Sequence, residues 1–159
     1  MAVGVGGTQN CQLVEGVRLA AVKSHIRYPD RLDLVLIEIA EGATVAGVFT
    51  QNAFCAAPVV VAKEHLQLLS SRYFLVNTGN ANAGTGAQGL ADAHACCRFV
   101  ADAADVELAE VLPFSTGVIG ELLPVDKIAL GLPDAFSALS EDNWLAAAQG
   151  IMTTDTRPK

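Results

Sequence analysis

Between residues 73 and 105 the chain passes through three textures in a fixed order, and that order restricts the fold more than any other feature. Residues 73–76 are aromatic or branched apolar residues, the composition of a strand. Residues 77–86 read Asn77-Thr78-Gly79-Asn80-Ala81-Asn82-Ala83-Gly84-Thr85-Gly86. Gly and Asn are the types that most readily take a positive φ, so this stretch is expected to be a long loop. Residues 88–105 then put Leu90, Ala93, Cys97, Val100 and Ala104 on one helical face, with Asp92, Arg98, Asp102 and Asp105 on the wetter side. A strand that feeds a helix through such a loop belongs to a sheet with helices packed on it.

The flanking segments extend this pattern. Residues 32–40 are short, apolar and branched and predict a strand; Glu41-Gly42 signals a turn, and 44–50 predicts a second strand closing an antiparallel hairpin. Pro58 before Val59, Val60 and Val61 predicts a third strand, since proline is tolerated at a strand's first residue. A short helix is expected over 63–70. Residues 111–115 form another apolar run, ended by Thr116-Gly117. Pro124 suits a helix start, with 125–130 continuing it and Gly131 and Pro133 stopping it. Ser140 is placed to cap a last helix, with Glu141 and Asp142 near its positive end and Trp144, Leu145, Ala148 and Ile151 on its apolar face. Residues 1–12 are Gly-rich and read as a flexible N-terminal arm, leaving 13–159 as the folded part. The fold class is α/β (α+β), with a mixed, largely antiparallel sheet covered by helices.

Composition removes several classes of function. Hydrophobic residues make up 52% of the chain, enough for a core. The net charge is −7 and the ten Lys and Arg residues are scattered, so the basic stripe of a nucleic-acid binder is missing. No apolar run reaches the roughly 18 residues of a membrane span, and the first residues lack the pattern of a secretory signal. The expected compartment is therefore the cytoplasm. Cys11, Cys55, Cys96 and Cys97 match no zinc or redox spacing, and free thiols are expected. His25, His65 and His94 lie far apart and form neither a metal cluster nor a Ser-His-Asp arrangement by spacing.

Three polar motifs remain. The 77–86 loop precedes a helix N-terminus and exposes backbone N–H groups, which suits either a small anion or a tight structural turn. It lacks the Lys-Ser/Thr ending of a phosphate-binding P-loop, and its glycine spacing is not that of a dinucleotide site. Ser115-Thr116-Gly117 puts a hydroxyl beside a glycine N–H at a strand end, which fits an oxyanion hole, although such tripeptides are far more often an ordinary turn. Thr153-Thr154-Asp155-Thr156 offers three hydroxyls and a carboxylate, for a ligand or for solvent.

Taken together the blocks are far more specific. Ala46-Gly47-Val48-Phe49-Thr50 with residues 52–59, then 77–89, then Pro113-Phe114-Ser115-Thr116-Gly117-Val118-Ile119-Gly120 with Leu123-Pro124, then 151–156 with Pro158-Lys159, resemble the ornithine acetyltransferase family in order and spacing. The resemblance runs from about residue 14 to the end. It implies an enzyme of arginine biosynthesis, made as one precursor that cuts itself before a threonine. That threonine becomes the nucleophile at the start of a second chain, and its free α-amine serves as base. Acetyl passes from N-acetylornithine to glutamate.

The resemblance further implies that Thr116 and Gly117 form the oxyanion hole and that Thr153 and Thr154 belong to the substrate pocket. No metal or organic cofactor is implied, with acetyl-coenzyme A an alternative acetyl donor in some members. The expected partner is the second (beta) chain, in a heterotetramer of two alpha and two beta chains, which completes a larger layered sandwich. No residue here matches the family's nucleophile or its cleavage bond, so the chain is expected to be the N-terminal part and inactive alone. The competing readings are a small-anion binding module built on the 77–86 loop and a non-catalytic structural fragment.

Overall fold

The structure, a computed structural model, describes residues 12–156. Except for Gln12, the expected arm lies outside the described residues, as do Cys11 and Pro158-Lys159. The elements are β1 (Val17–Val22), β2 (Leu34–Ile39), α1 (Ala57–Leu68), β3 (Tyr73–Asn80), α2 (Gly86–Ala104), β4 (Val111–Val118), α3 (Val125–Ser137) and α4 (Trp144–Gly150). The four strands form one sheet in sequence order. β1–β2 and β2–β3 are antiparallel, and β3–β4 is parallel. Helices connect both β2 to β3 (α1) and β3 to β4 (α2), and only the second is the crossover that parallel neighbours need. The expected mixed, largely antiparallel sheet is the observed one.

Side chains alternate between the two faces of the sheet. Ala20, Leu34, Leu36, Tyr73, Leu75 and Val111 meet the inner faces of α1, α2 and α3 in the larger core. Leu19, Val35 and Ala147, with Val17, Ile37, Val76 and Trp144 beside them, form a smaller cluster under α4. α4 packs on β1 and β2. On the β3–β4 half of that face Phe74 and Phe114 stack edge-on with ring centroids 5.4 Å apart, and Phe114 is 40% exposed. Among the described residues no helix is long and apolar enough to cross a membrane.

Four expectations about elements are corrected. The 44–50 strand is absent: the segment forms no regular element and is mostly exposed, Val48 completely so. β2 has no edge to offer it, because β1 and β3 occupy both sides. β1 itself was not foreseen, since Arg18 and the two alanines blur its alternation. Pro58-Val59-Val60-Val61 starts α1 instead of a strand. The buried set Ala57, Pro58, Val61, Ala62 and His65 recurs at helical spacing, and proline in the first turn gives up an N–H that has no partner there anyway. Burial outweighs the β preference of the valines.

Helix α3 runs through Gly131 and Pro133 to Ser137. Gly131 is a contact residue, since a Cβ there would lie 2.4 Å from Ser24 Oγ and 3.0 Å from Leu34 Cδ2. Pro133 sits on the exposed side. Ser140 does not cap α4. Its backbone exchanges hydrogen bonds with Leu19 at 2.9 and 3.0 Å, and α4 begins after Asn143.

Candidate functional site

The sequence-predicted residues gather where β3 and β4 end. The parallel ladder is regular from Tyr73↔Val111 to Gly79↔Gly117, then shifts, with Asn80 facing both Thr116 and Val118. The 77–86 stretch is therefore only half a loop: Asn77, Thr78, Gly79 and Asn80 finish β3. Likewise Thr116-Gly117 does not end β4, which continues to Val118. Both corrections share a cause, because each segment satisfies its backbone against the other. The positive φ expected of the stretch is present at Gly79, Asn82, Gly84 and Gly86.

Gly117 has φ +140 and is exposed. A Cβ on it would lie 2.3 Å from the Gly79 carbonyl carbon and 2.5 Å from the Asn80 nitrogen. Only glycine permits this approach. Gly79, with φ +96, lies in turn against Arg27, whose Cβ would be 2.8 Å from a Cβ on Gly79. The Arg27 guanidinium bonds Glu121 at 2.7 Å. The hydrogen bonds that Arg27 gives to Glu121 and Tyr28, with the charge of Glu121, hold its pKa above the ordinary arginine value.

Polar side chains fix both sides of this close approach. Asn77 donates to the Asn80 carbonyl at 2.9 Å and accepts from Ser115 Oγ at 2.5 Å. Asn80 donates to the carbonyls of Glu121 and Leu122 at 3.2 and 3.0 Å and accepts from the Asn82 N–H at 2.7 Å. Asn82 donates to the Gly89 carbonyl at 2.8 Å and accepts from Thr85 Oγ1 at 2.9 Å. All three asparagines are buried. A buried amide is stable only with such partners.

Thr116 and Thr78 face each other in the ladder and share the α4 side of the sheet. Thr78 is buried and donates to the Gly150 carbonyl at 3.1 Å. Arg31 adds a hydrogen bond to the Met152 carbonyl. These two contacts bring the 150s to the end of β3. Thr153 follows Gly150 by three positions, a reach of at most roughly 11 Å. Among the described residues the hydroxyls of Thr116, Thr153 and Thr154 make no hydrogen bonds; Thr116 and Thr153 are half-buried and Thr154 is exposed. No cluster of three or more His, Cys, Asp or Glu fit for a metal occurs among the described residues. Sequence reasoning missed the asparagine clamp, Arg27 and Glu121. The density of asparagine in 77–82 was the available signal for the clamp.

The model of the ArgJ family matches residues 18–159. The arginine biosynthesis bifunctional protein ArgJ of Methylococcus capsulatus is 60% identical over 92% of this chain, a match covering 36% of that protein. The protein of the same name from Pseudomonas fluorescens is 54% identical over the whole chain and 39% of its own length. The chain thus spans well under half the length of these relatives. Among solved structures, the ornithine acetyltransferase of Mycobacterium tuberculosis, complexed with ornithine, superposes with a TM-score of 0.86 at 37% identity, covering 89% of this chain and 78% of that one. The ArgJ protein of Bacillus halodurans gives a TM-score of 0.81 at 32% identity, covering 89% and 74%. With the glycine-bounded strand ends in place and a family match from β1 to its last residue, this chain belongs to the ArgJ family.

Proposed function

We propose that this chain is the N-terminal part of a self-cleaving glutamate N-acetyltransferase of arginine biosynthesis, carrying its oxyanion hole and part of its substrate pocket. The observation that carries the reading is the forced exposure of Gly117 beside Thr116. The two strands approach so closely that position 117 holds no side chain, and next to it stands a hydroxyl without a partner among the described residues. The hydroxyl and the neighbouring Gly117 N–H are the proposed pair of donors. The family match and the ornithine bound by the Mycobacterium tuberculosis protein support the substrate class.

In the proposed reaction an N-terminal threonine of a second chain adds through its hydroxyl oxygen to the acetyl carbonyl of N-acetylornithine. Its own α-amine takes the proton. The carbonyl oxygen becomes negative, and Thr116 Oγ1 and the Gly117 N–H donate to it. Collapse releases ornithine, whose amine receives the proton, and leaves an acetyl ester. The amine of glutamate then attacks the ester, giving a proton to the α-amine while the same donors hold the second oxyanion; the bond from the acetyl carbon to the threonine oxygen breaks, that oxygen takes the proton, and N-acetylglutamate leaves. Thr153 and Thr154 supply hydroxyls to the bound amino acid. Proton transfer and oxyanion stabilisation suffice for these steps, so no metal or organic cofactor is invoked. Acetyl-coenzyme A would enter as an alternative acetyl donor at the same carbonyl position.

The half of the sheet face that carries part-buried Phe74 and exposed Phe114 is the surface on which the second chain is proposed to pack, in a cytoplasmic assembly of two alpha and two beta chains. The test is Thr116→Ala in the complete processed enzyme, read by single-turnover acetyl transfer. Loss of one oxyanion donor costs on the order of 10²–10³ in turnover. A wild-type rate would show that Ser115-Thr116-Gly117 is an ordinary strand end.

A further inference from the structure

We infer that Asn80, with Asn77 behind it, is a positioning residue that sets where Thr116 and Gly117 aim their donors; the inference rests on the oxyanion role proposed for that pair. The ladder between β3 and β4 loses its register at Asn80, which faces Thr116 and Val118 on either side of Gly117. A shift at that point re-aims the backbone of the residue it skips. A bulge needs something to hold it, since the unshifted register would pair more backbone.

Asn80 is what holds it here. Its amide nitrogen is shared by the carbonyls of Glu121 and Leu122, beyond the end of β4, and its amide oxygen takes the Asn82 N–H, beyond the end of β3. One buried side chain thus joins the two segments that diverge from the strand ends. Asn77 secures the other side of the tripeptide. It bonds the Asn80 carbonyl and the Ser115 hydroxyl, which is the residue before Thr116. Thr116-Gly117 is therefore bracketed, at Ser115 by Asn77 and at Glu121–Leu122 by Asn80.

The chemistry demands an amide. Two carbonyls need donors and one N–H needs an acceptor, and only a carboxamide offers both from one side chain of this length. Neither asparagine takes the place of a donor to the oxyanion, because their polar atoms are engaged internally. Their effect on the reaction passes through the position of the pair. A displacement near 1 Å in a reacting constellation costs about 10²-fold.

The experiment uses the complete processed enzyme with Asn80→Asp, Thr116→Ala and the double variant, each measured by thermal melt and by steady-state and single-turnover acetyl transfer. Asn80→Asp keeps the shape and the acceptor but removes both donors. The expected result is a cooperative melt, turnover lowered about 10- to 100-fold, and a Michaelis constant for N-acetylornithine within about twofold of wild type. The double variant should be little slower than the slower single variant, because both changes disable one device.

Wild-type turnover in Asn80→Asp, with Thr116→Ala slow, overturns the inference and leaves the oxyanion reading standing. Multiplying effects in the double variant overturn it as well. Wild-type turnover in Thr116→Ala removes the oxyanion reading itself. If Asn80→Asp does not fold, Ser115→Ala provides the same test from the Asn77 side with a milder change. A turnover loss with an unchanged Michaelis constant supports the inference there, and a wild-type rate overturns it.

Discussion

Adding one methyl group at Gly117 should separate geometry from mere glycine flexibility. In Gly117→Ala the new Cβ would stand 2.3 Å from the Gly79 carbonyl carbon, where ordinary contact begins at 3.4 Å, so the strands must part by about 1.1 Å (3.4 − 2.3). The atoms met are backbone, and no side chain can swing aside. The φ of +140 adds conformational strain of about 1–3 kcal/mol, and overpacking adds about 1–3 kcal/mol more. A displacement of this size in the reacting constellation predicts roughly 10²-fold slower acetyl transfer. Gly120→Ala is the control. Gly120 also has a positive φ, +82, but a Cβ there meets nothing within 4 Å. Urea titration of the complete enzyme should therefore show a clearly lower midpoint at constant m for Gly117→Ala than for Gly120→Ala, and single-turnover acetyl transfer should fall only in the former. Equal midpoints and equal rates for the two variants would refute the argument that close approach, rather than backbone freedom, fixes glycine at 117.

Three further outcomes are expected. Thr153→Ala in the complete enzyme should raise the Michaelis constant for N-acetylornithine more than it lowers turnover, as a ground-state contact does; an unchanged Michaelis constant with collapsed turnover would place Thr153 in the chemistry. Burial and then the Asp92 charge push the Cys96 thiol up to about 12, and burial foremost pushes Cys97 higher still. Both thiols should therefore resist alkylation at pH 8 until the protein unfolds, while half-buried Cys55 reacts first; peptide mapping after timed labelling decides it. Burial tends to raise the Glu38 carboxyl, but hydrogen bonds from Arg18 and Tyr73 outweigh it and hold it below its ordinary 4.5. A depressed folded-state value means stability present above the unfolded value and lost as pH falls through the folded one. The stability gap between wild type and Glu38→Gln should accordingly be constant near neutrality and close below pH 4.5; a gap unchanged at acid pH would contradict it.

The sheet-and-helix class, α2 and the cores of β2, β3 and β4 were legible because each carries its own period in a contiguous run. What failed depended on partners far away in sequence. Whether 44–50 pairs depends on who already flanks β2, and β1 supplies that neighbour from upstream. The Val59–Val61 run looks like a strand until His65 and Ala62 are seen to share its buried face. Gly131 reads as a stop until Ser24 and Leu34 are found against it. For the candidate site, family resemblance named Thr116, Gly117 and Thr153, while residue chemistry alone left Ser115-Thr116-Gly117 between an oxyanion hole and a turn. The asparagine clamp was invisible because its meaning lies in the carbonyls of Glu121 and Leu122, backbone groups that no motif names.

The parallel pairing of β3 with β4 also sets an order of events during synthesis. Asn77 and Ser115 are 38 positions apart, and the connection between their strands includes all of α2. Their contact has high contact order, so its loop-closure entropy is met only once α2 has coiled and docked its Val100 and Cys97 face. On the ribosome, β1 and β2 can pair as an antiparallel hairpin as they emerge, β3 joins them only after α1 has been made, and the Gly79–Gly117 junction waits for α2 and β4. A substitution such as Val100→Ala, buried in α2, would then delay maturation of the junction even where the finished protein tolerates it.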